Sequence, residues 1–529
     1  MTQRVPWRTA AAAALAIWLL ALAPAHPARS QPITVAVAGG PSSLDPHYQN
    51  VSLNIQVSAH FYDALVAMDA HARPMPGLAE SWRPVGEHAW EFKLRSARFH
   101  DGSEFTAQDV AYTLSRLPTV NSPSSFRTYT NAIKAVEVVD PHTIRIDTGT
   151  VYPLLPIDMA GVFILPHGLG PQPATEDFNS GKLVIGTGPY RLISYRPGDR
   201  VEMARNETYW GPKPAFGQVI YRIIGNGAAR TASLLAGDAA LIDQVPPADL
   251  AGLAQNKAVK LWQATSLRVI YLMLEQSRDG AEPEVSGPQG EPLTVNPLRD
   301  LRVRRALSMA INREAIVSQV MEGSAIATGQ LLPAGSFSYV PDLPPPTYDV
   351  ARAKALLAEA GYPNGFRITL HSPKDRYPND AKVAQAVGQM WTRIGVQTAV
   401  EASPIAVIDS HINKQDYPAA VLGWSTASGE ASNALRALVA TYDINLGRGT
   451  ANRARYSNVA LDALITKASS TADDAAREQL LQQATRLAME DVALAPLYHQ
   501  KNNWATRSDL TYRASADEGT RVFNLRPAE

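Results

Sequence analysis

The 529-residue chain contains no cysteine, which excludes disulfides, thiolate metal sites and a lipid-modified cysteine as a membrane anchor. It also lacks an excess of either charge. Its 49 Lys and Arg balance 49 Asp and Glu, so it carries no basic footprint for nucleic acid. Long apolar runs are confined to the amino terminus, where Ala10 to Ala23 falls short of the roughly 20 residues that span a bilayer. Arg4 and Arg8 precede that run without any acid, and small residues follow at Ala23-Pro24-Ala25 and Ala28-Arg29-Ser30. This order predicts a cleavable signal peptide over residues 1–30. Cleavage after Ala25 removes Arg4 and Arg8 and leaves 47 basic against 49 acidic groups. An exported chain without an anchor is expected to be soluble in the periplasm of a Gram-negative cell.

Catalytic constellations are scarce too. None of the eleven histidines forms His-Glu-x-x-His or a close pair with metal-ligand spacing. Most lie beside turns and read as solvated or capping residues, so no metal and no cofactor is expected. No Gly-x-Ser-x-Gly elbow occurs, and Gly181-Lys182 is followed by Leu183 without the upstream glycine of a phosphate-binding loop. Gly225-Asn226-Gly227-Ala228-Ala229-Arg230, with Asp243 downstream, nearly matches a dinucleotide fingerprint. Its third glycine is Arg230, however, and a long side chain there defeats close helix–strand packing. A plain strand-turn-helix unit ending at Gly237-Asp238 is the better reading.

The length predicts two to four domains, and the remaining pattern is mixed α/β. Trp90, Phe92 and Leu94 alternate with polar residues as in a half-buried strand. Thr106 with Asp109 forms a capping box ahead of Val110, Leu114 and Leu117. Arg196-Pro197-Gly198-Asp199 reads as a hairpin turn, and Val219 to Ile224 as a strand. Asp349 caps a helix that Gly361 ends, and Val383, Val387, Met390 and Ile394 mark a further helix before the strand Val396 to Val400. Asp473-Asp474 supplies negative charge to a helix start. Gly280 to Pro297 and Pro341 to Pro346 read as loops.

Several short stretches recur in one order along the chain: Ser43-Leu44-Asp45-Pro46-His47, Phe61-Tyr62-Asp63-Ala64-Leu65, Gly77-Leu78-Ala79-Glu80-Ser81-Trp82, Phe99-His100-Asp101-Gly102 and Gly186-Thr187-Gly188-Pro189-Tyr190. Asn206 to Gly211, Val303-Arg304-Arg305-Ala306-Leu307 to Asn312-Arg313, Leu356 to Gly361-Tyr362-Pro363 and Pro496-Leu497-Tyr498 continue the series. In this order they resemble family 5 of the bacterial extracellular solute-binding proteins, which includes dipeptide, oligopeptide and nickel-complex receptors of ABC importers. The resemblance implies an α/β, two-lobed periplasmic binding protein clamp of type II, in the large peptide-binding class, with an inserted subdomain in the first lobe. It is not an enzyme fold. Lobe I is expected over residues 31–57, 186–272 and 495–529, the inserted subdomain over 58–185 and lobe II over 273–494. The implied partners are a small-molecule or peptide ligand and the ABC permease and ATPase complex in the inner membrane, with the protein itself a monomer. An accessory role beside a chemosensory receptor is the alternative.

The same resemblance assigns ligand contacts to Asn50, Val51, Ser52 and Leu53, to the loop Ser122 to Tyr129 with Phe126 and Tyr129, and to Trp424, Ser425 and Thr426 after Gly423. Arg376 and Tyr377 lie near the place where peptide-binding relatives hold a ligand carboxylate. Those relatives also place an aspartate shortly after the Gly-Trp pair, where it holds the ligand's α-ammonium. Here the position is Ala427, so free unmodified dipeptides are expected to bind poorly and ligands whose α-ammonium is absent or masked to bind better, unless the loop folds back as a turn and brings the nearest acid, Glu430, to the same spot. A buried ammonium without its carboxylate costs roughly 3–5 kcal/mol. Modified peptides, opine-like or sugar conjugates and metal chelates therefore stand beside free peptides as ligands.

Overall fold

The computed structural model describes residues 32–529 apart from 122–125, 427 and 444–445. The predicted signal peptide, the start of the Ser122 loop and Ala427 lie outside the described residues. No helix among the described residues is long and apolar enough to cross a membrane.

The first lobe opens with strand β1 (Ile33–Val37) and helix α1 (Ser52–Phe61). The chain then leaves it to build the inserted subdomain, a four-stranded antiparallel sheet of β2 (Ala79–Val85), β3 (Ala89–Leu94), β4 (Ala135–Asp140) and β5 (Thr143–Asp147) in the order β2-β3-β5-β4. Helix α2 (Ala107–Arg116) supplies Val110 and Leu114 to this subdomain's core. Its start is the anticipated capping box, with the Thr106 N–H donating to Asp109 Oδ2 at 2.7 Å. The short helix α3 (Leu155–Asp158) completes the subdomain.

Back in the first lobe, β6 (Tyr190–Arg196) and β7 (Arg200–Arg205) flank the predicted turn, where Gly198 takes a φ of 74° that suits glycine. Strand β8 (Gln218–Ile223) pairs with β1, and helix α4 (Gly227–Leu235) leads to β9 (Leu241–Ile242). The near-fingerprint is filled by its own arginine. Arg230 is buried and donates to Ile224 O at 2.7 Å, Gly225 O at 3.1 Å and Gln244 O at 3.0 Å. The guanidinium therefore binds the turn's own carbonyls.

Strand β10 (Val259–Leu274) then passes into the second lobe, where α5 (Val350–Glu359), β11 (Arg367–Pro373), α6 (Asp380–Arg393), β12 (Gln397–Ser403), β13 (Ala419–Ser425) and α7 (Asp474–Glu490) follow. Strand β14 (Ala495–Arg507) returns to the first lobe beside β10. One sheet results, running β11-β13-β10-β14-β9-β1-β8-β7-β6 with β12 paired to β11. In β10, Ile270, Leu272 and Leu274 enter one core while Val269, Tyr271 and Met273 enter another. Both faces of that half-strand are covered by helices, so its sequence runs apolar without alternation. The register slips between Thr265 and Val269, where the two strands cross between lobes. Val269 to Leu274 and Leu497 to Tyr498 thus pack with the second lobe's cores, inside ranges the sequence reading assigned to lobe I.

His71, His88, His142, His167 and His411 are exposed, in keeping with the solvated reading, whereas five others depart from it. His47, His60, His100, His371 and His499 are buried. His47 Nε2 lies 2.8 Å from Phe163 O, and its Nδ1 accepts from Arg116 Nη1 at 2.9 Å. Burial, then the Arg116 charge, depresses His47 to about 4, so the ring is neutral. Turns mark chain reversals, and here several reversals are themselves packed inside.

Candidate functional site

The first-lobe wall forms where α1 begins. Val51 is the N-cap of α1, and Ser52 and Leu53 are exposed in its first turn. Tyr129 reaches this turn from the subdomain, its hydroxyl 3.5 Å from Asn50 Oδ1. Phe126 does not face the cleft: it is only 2% exposed and lies in the subdomain core, its ring 5.9 Å from that of Tyr129 and 6.1 Å from that of His47. It backs Tyr129 from behind. Gly161 passes under the Tyr129 ring so closely that a Cβ would sit 2.6 Å from Cζ.

The second-lobe wall is the loop after β13. Trp424 is half-buried against the second lobe's core, and its Nε1 donates to Asn433 Oδ1 at 3.0 Å. Gly423 points to the opposite face of the sheet, where its N–H donates to the Tyr377 hydroxyl at 2.9 Å. Arg376 is exposed, its guanidinium 5.3 Å from the Tyr377 ring centroid. Ser425 pairs across the strands with Arg268. Thr426 Oγ1 and Ser428 Oγ are buried with no hydrogen-bond partner among the described residues. Glu430 departs from its expected role. It is 1% exposed, paired with buried Arg477 and bonded by the Ser432 hydroxyl. Both its oxygens are engaged, so it is not free to receive an ammonium.

The walls meet directly. Ala72, in the turn between Val66–Met68 and Pro74–Pro76, lies against Gly429, and Arg73 Nη2 donates to Gly335 O at 2.8 Å. Between the walls stands a residue that belongs to no sequence motif. Asp158 at the end of α3 is half-buried and accepts from the Tyr152 hydroxyl at 2.7 Å. Burial pushes Asp158 up to about 7; the Tyr152 bond and Arg436 pull it down, and the Glu430 charge across the cleft pushes it higher. Its own charge raises Tyr129, a smaller effect than that ring's burial. The sequence did carry one signal for it. Asp158 is the lone charged residue between Asp147 and His167, an acid in an apolar stretch with no local reason to be there. Among the described residues, no group of three or more His, Asp or Glu side chains is placed to hold a metal.

Two α/β lobes joined by crossing strands, with polar and aromatic groups on facing walls, define a periplasmic-type binding clamp. The chain belongs to the bacterial extracellular solute-binding proteins, family 5, whose model ("family 5 Middle") matches residues 73–445. It is a receptor for a small solute and not an enzyme. It is 30% identical to the glutathione-binding protein GsiB of Salmonella choleraesuis over 528 residues, covering 97% of this chain and 96% of that one. Among solved structures it is similar to HbpA2 of Haemophilus parasuis, with a TM-score of 0.80 at 24% identity over 94% of this chain and 100% of that one. A dipeptide-binding protein of Pseudoalteromonas sp. SM9913 in complex with Met-Leu matches over the same shares, with a TM-score of 0.74 at 24% identity.

Proposed function

We propose that the protein captures a small peptide-like solute between its lobes in the periplasm and hands it to the permease and ATPase of an ABC importer. The observation that carries this reading is the convergence of two walls: Asn50, Tyr129 and Asp158 from the first lobe, and the Trp424 to Glu430 loop from the second. An aromatic surface beside a few fixed polar groups is the usual make-up of a small-molecule site. The glutathione-binding relative supports a peptide-like ligand in particular. The β10–β14 crossing serves as the hinge, and its register slip near Thr265 to Val269 is where the strands can bend. Closure about it presents the permease with a form that only the loaded protein holds. Residues 1–30 act as the export signal.

Native mass spectrometry of protein purified gently from periplasmic extract tests the reading. A co-purifying compound with peptide or amino-acid chemistry is expected, and small-angle scattering should show a smaller radius of gyration when that compound is added back. Failure to bind any peptide-like compound, or identical scattering curves with and without the bound one, would overturn it.

A further inference from the structure

We propose that Asp158, held by Tyr152, receives the ligand's ammonium group from the first-lobe side of the cleft, in place of the acid that the second-lobe loop lacks at Ala427. The inference rests on the peptide-like reading above and assigns the subsite for one end of the ligand. Three observations converge on it.

The first is a process of exclusion among carboxylates. Glu430 is the nearest acid to Ala427 in sequence, yet Arg477 and Ser432 occupy both its oxygens. Asp158 has no ion-pair partner among the described residues; a single hydrogen bond, from a neutral phenol, engages its Oδ2. A carboxylate largely withdrawn from water without a cation is unfavourable, and an ammonium is the group that would satisfy it.

The second is position. Asp158 O accepts from the Gly161 N–H at 3.0 Å, and Gly161 packs against the Tyr129 ring that reaches Asn50, so Asp158 lies beside the first-lobe wall, where Glu430 and Arg436 of the other lobe act on it electrostatically. Arg436 is exposed and already donates to Leu446 O at 2.9 Å, so it does not close the pair. The third is the state of the facing loop. Thr426 Oγ1 and Ser428 Oγ are shielded from solvent and unpaired among the described residues. An ammonium between the walls reaches these hydroxyls only when the loop shifts to expose them, and they then accept from its remaining N–H groups.

Titration follows from the same geometry. Without ligand, burial keeps the Asp158 carboxyl near neutral pH. An arriving ammonium favours the carboxylate, so binding near pH 7 releases a proton, and affinity for amines rises with pH through that range.

The experiment titrates a panel of dipeptides and tripeptides, glutathione included, each beside its N-acetylated form, by calorimetry in two buffers of different ionisation enthalpy. Free amines should be preferred by about a hundredfold, with proton release near pH 7. Asp158→Asn, which keeps the shape and an acceptor for Tyr152, should bring the two forms to similar affinity. Tyr152→Phe should keep the preference but move the pH at which amine binding is half lost upward, since the phenol's hydrogen bond lowers the carboxyl. Circular dichroism and melting curves establish that each variant is folded. If acetylated forms bind wild type as well as free amines, or Asp158→Asn leaves the preference intact, the assignment is wrong while the peptide-like reading stands. If no panel member binds, both fall together.

Discussion

The backbone of Gly429 lies so near the carbonyl of Ala72 that a Cβ on the glycine would be 2.4 Å from that oxygen, a contact between the second lobe and the inserted subdomain. Backbone cannot swing aside as a side-chain tip does. Gly429→Ala is therefore expected to hold the lobes apart, giving a larger radius of gyration and ligand binding weakened by about tenfold or more. Gly429 also has a φ of 66°, a left-handed conformation that costs another residue about 1–2 kcal/mol. Urea denaturation should show only that smaller local loss, and an unchanged radius of gyration would refute the clash.

Acid should loosen the molecule through its buried histidines. His60 accepts from the Val522 N–H at 3.0 Å through Nε2, while Nδ1 faces Val57 O at 3.3 Å, so the neutral Nδ1–H tautomer ties α1 to the carboxy-terminal segment. Burial depresses the ring to about 4, against roughly 6.5 in the unfolded chain. The unfolded state takes up the proton first, so the His60 contribution to stability falls as pH drops from about 6.5 towards about 4 and is flat below that. His60→Gln should lessen that fall by the share of one proton, measured as urea midpoints across the window.

Arg116 and Asp45 should behave as one unit. Nη2 and Nη1 of Arg116 donate to the two Asp45 oxygens at 2.7 and 3.0 Å, and both side chains are shut away from solvent. Burial pushes the Asp45 carboxyl up, and Arg116 more than offsets it, holding the group below its usual range. Arg116→Met leaves that carboxylate unpaired and should cost about 3–5 kcal/mol. Adding Asp45→Asn to it should recover part of the loss, and a double variant no more stable than Arg116→Met would break the argument.

Glu430→Gln separates architecture from recognition. It leaves the buried Arg477 charge with only the exposed Asp474, 3.0 Å from its Nη2, so stability should fall, by up to about 3 kcal/mol. Preference for free over acetylated amines should stay as in wild type, because Glu430 serves the second lobe and not the ligand.

What the sequence made legible was local. The Thr106–Asp109 capping box, the turn at Gly198, the Asp349 cap, which accepts from Arg352 N at 2.8 Å, and the Gly361 stop all depend on groups a few residues apart. Asn50 and Tyr129 were chosen from separate segments, and the structure brings them together. Other features arise only across long separations. Glu430 is neutralised by an arginine 47 residues further on, and Phe126 is enclosed by a core that its own loop does not reveal. The crossing inside β10 shows in sequence only as a change from the mixed first half to the continuously apolar Val269 to Leu274, and that change does not say which lobe each half joins. Asp158 was visible as an isolated acid, but its meaning came from Tyr152 and from the opposite lobe.

Strand β14 belongs to the last 35 residues of the chain, yet it lies in the middle of the sheet, between β10 and β9. The first lobe consequently cannot finish while the carboxy-terminal segment is still missing: β1, β8 and β9 remain unattached to β10 until β14 fills the gap. Pairings that close such long intervals of chain are slow to form. Order of synthesis and order of completion are thus reversed for this lobe, whose first strand waits on one of the final ones. The β9 edge of the first lobe therefore stays open for as long as β14 has not been made.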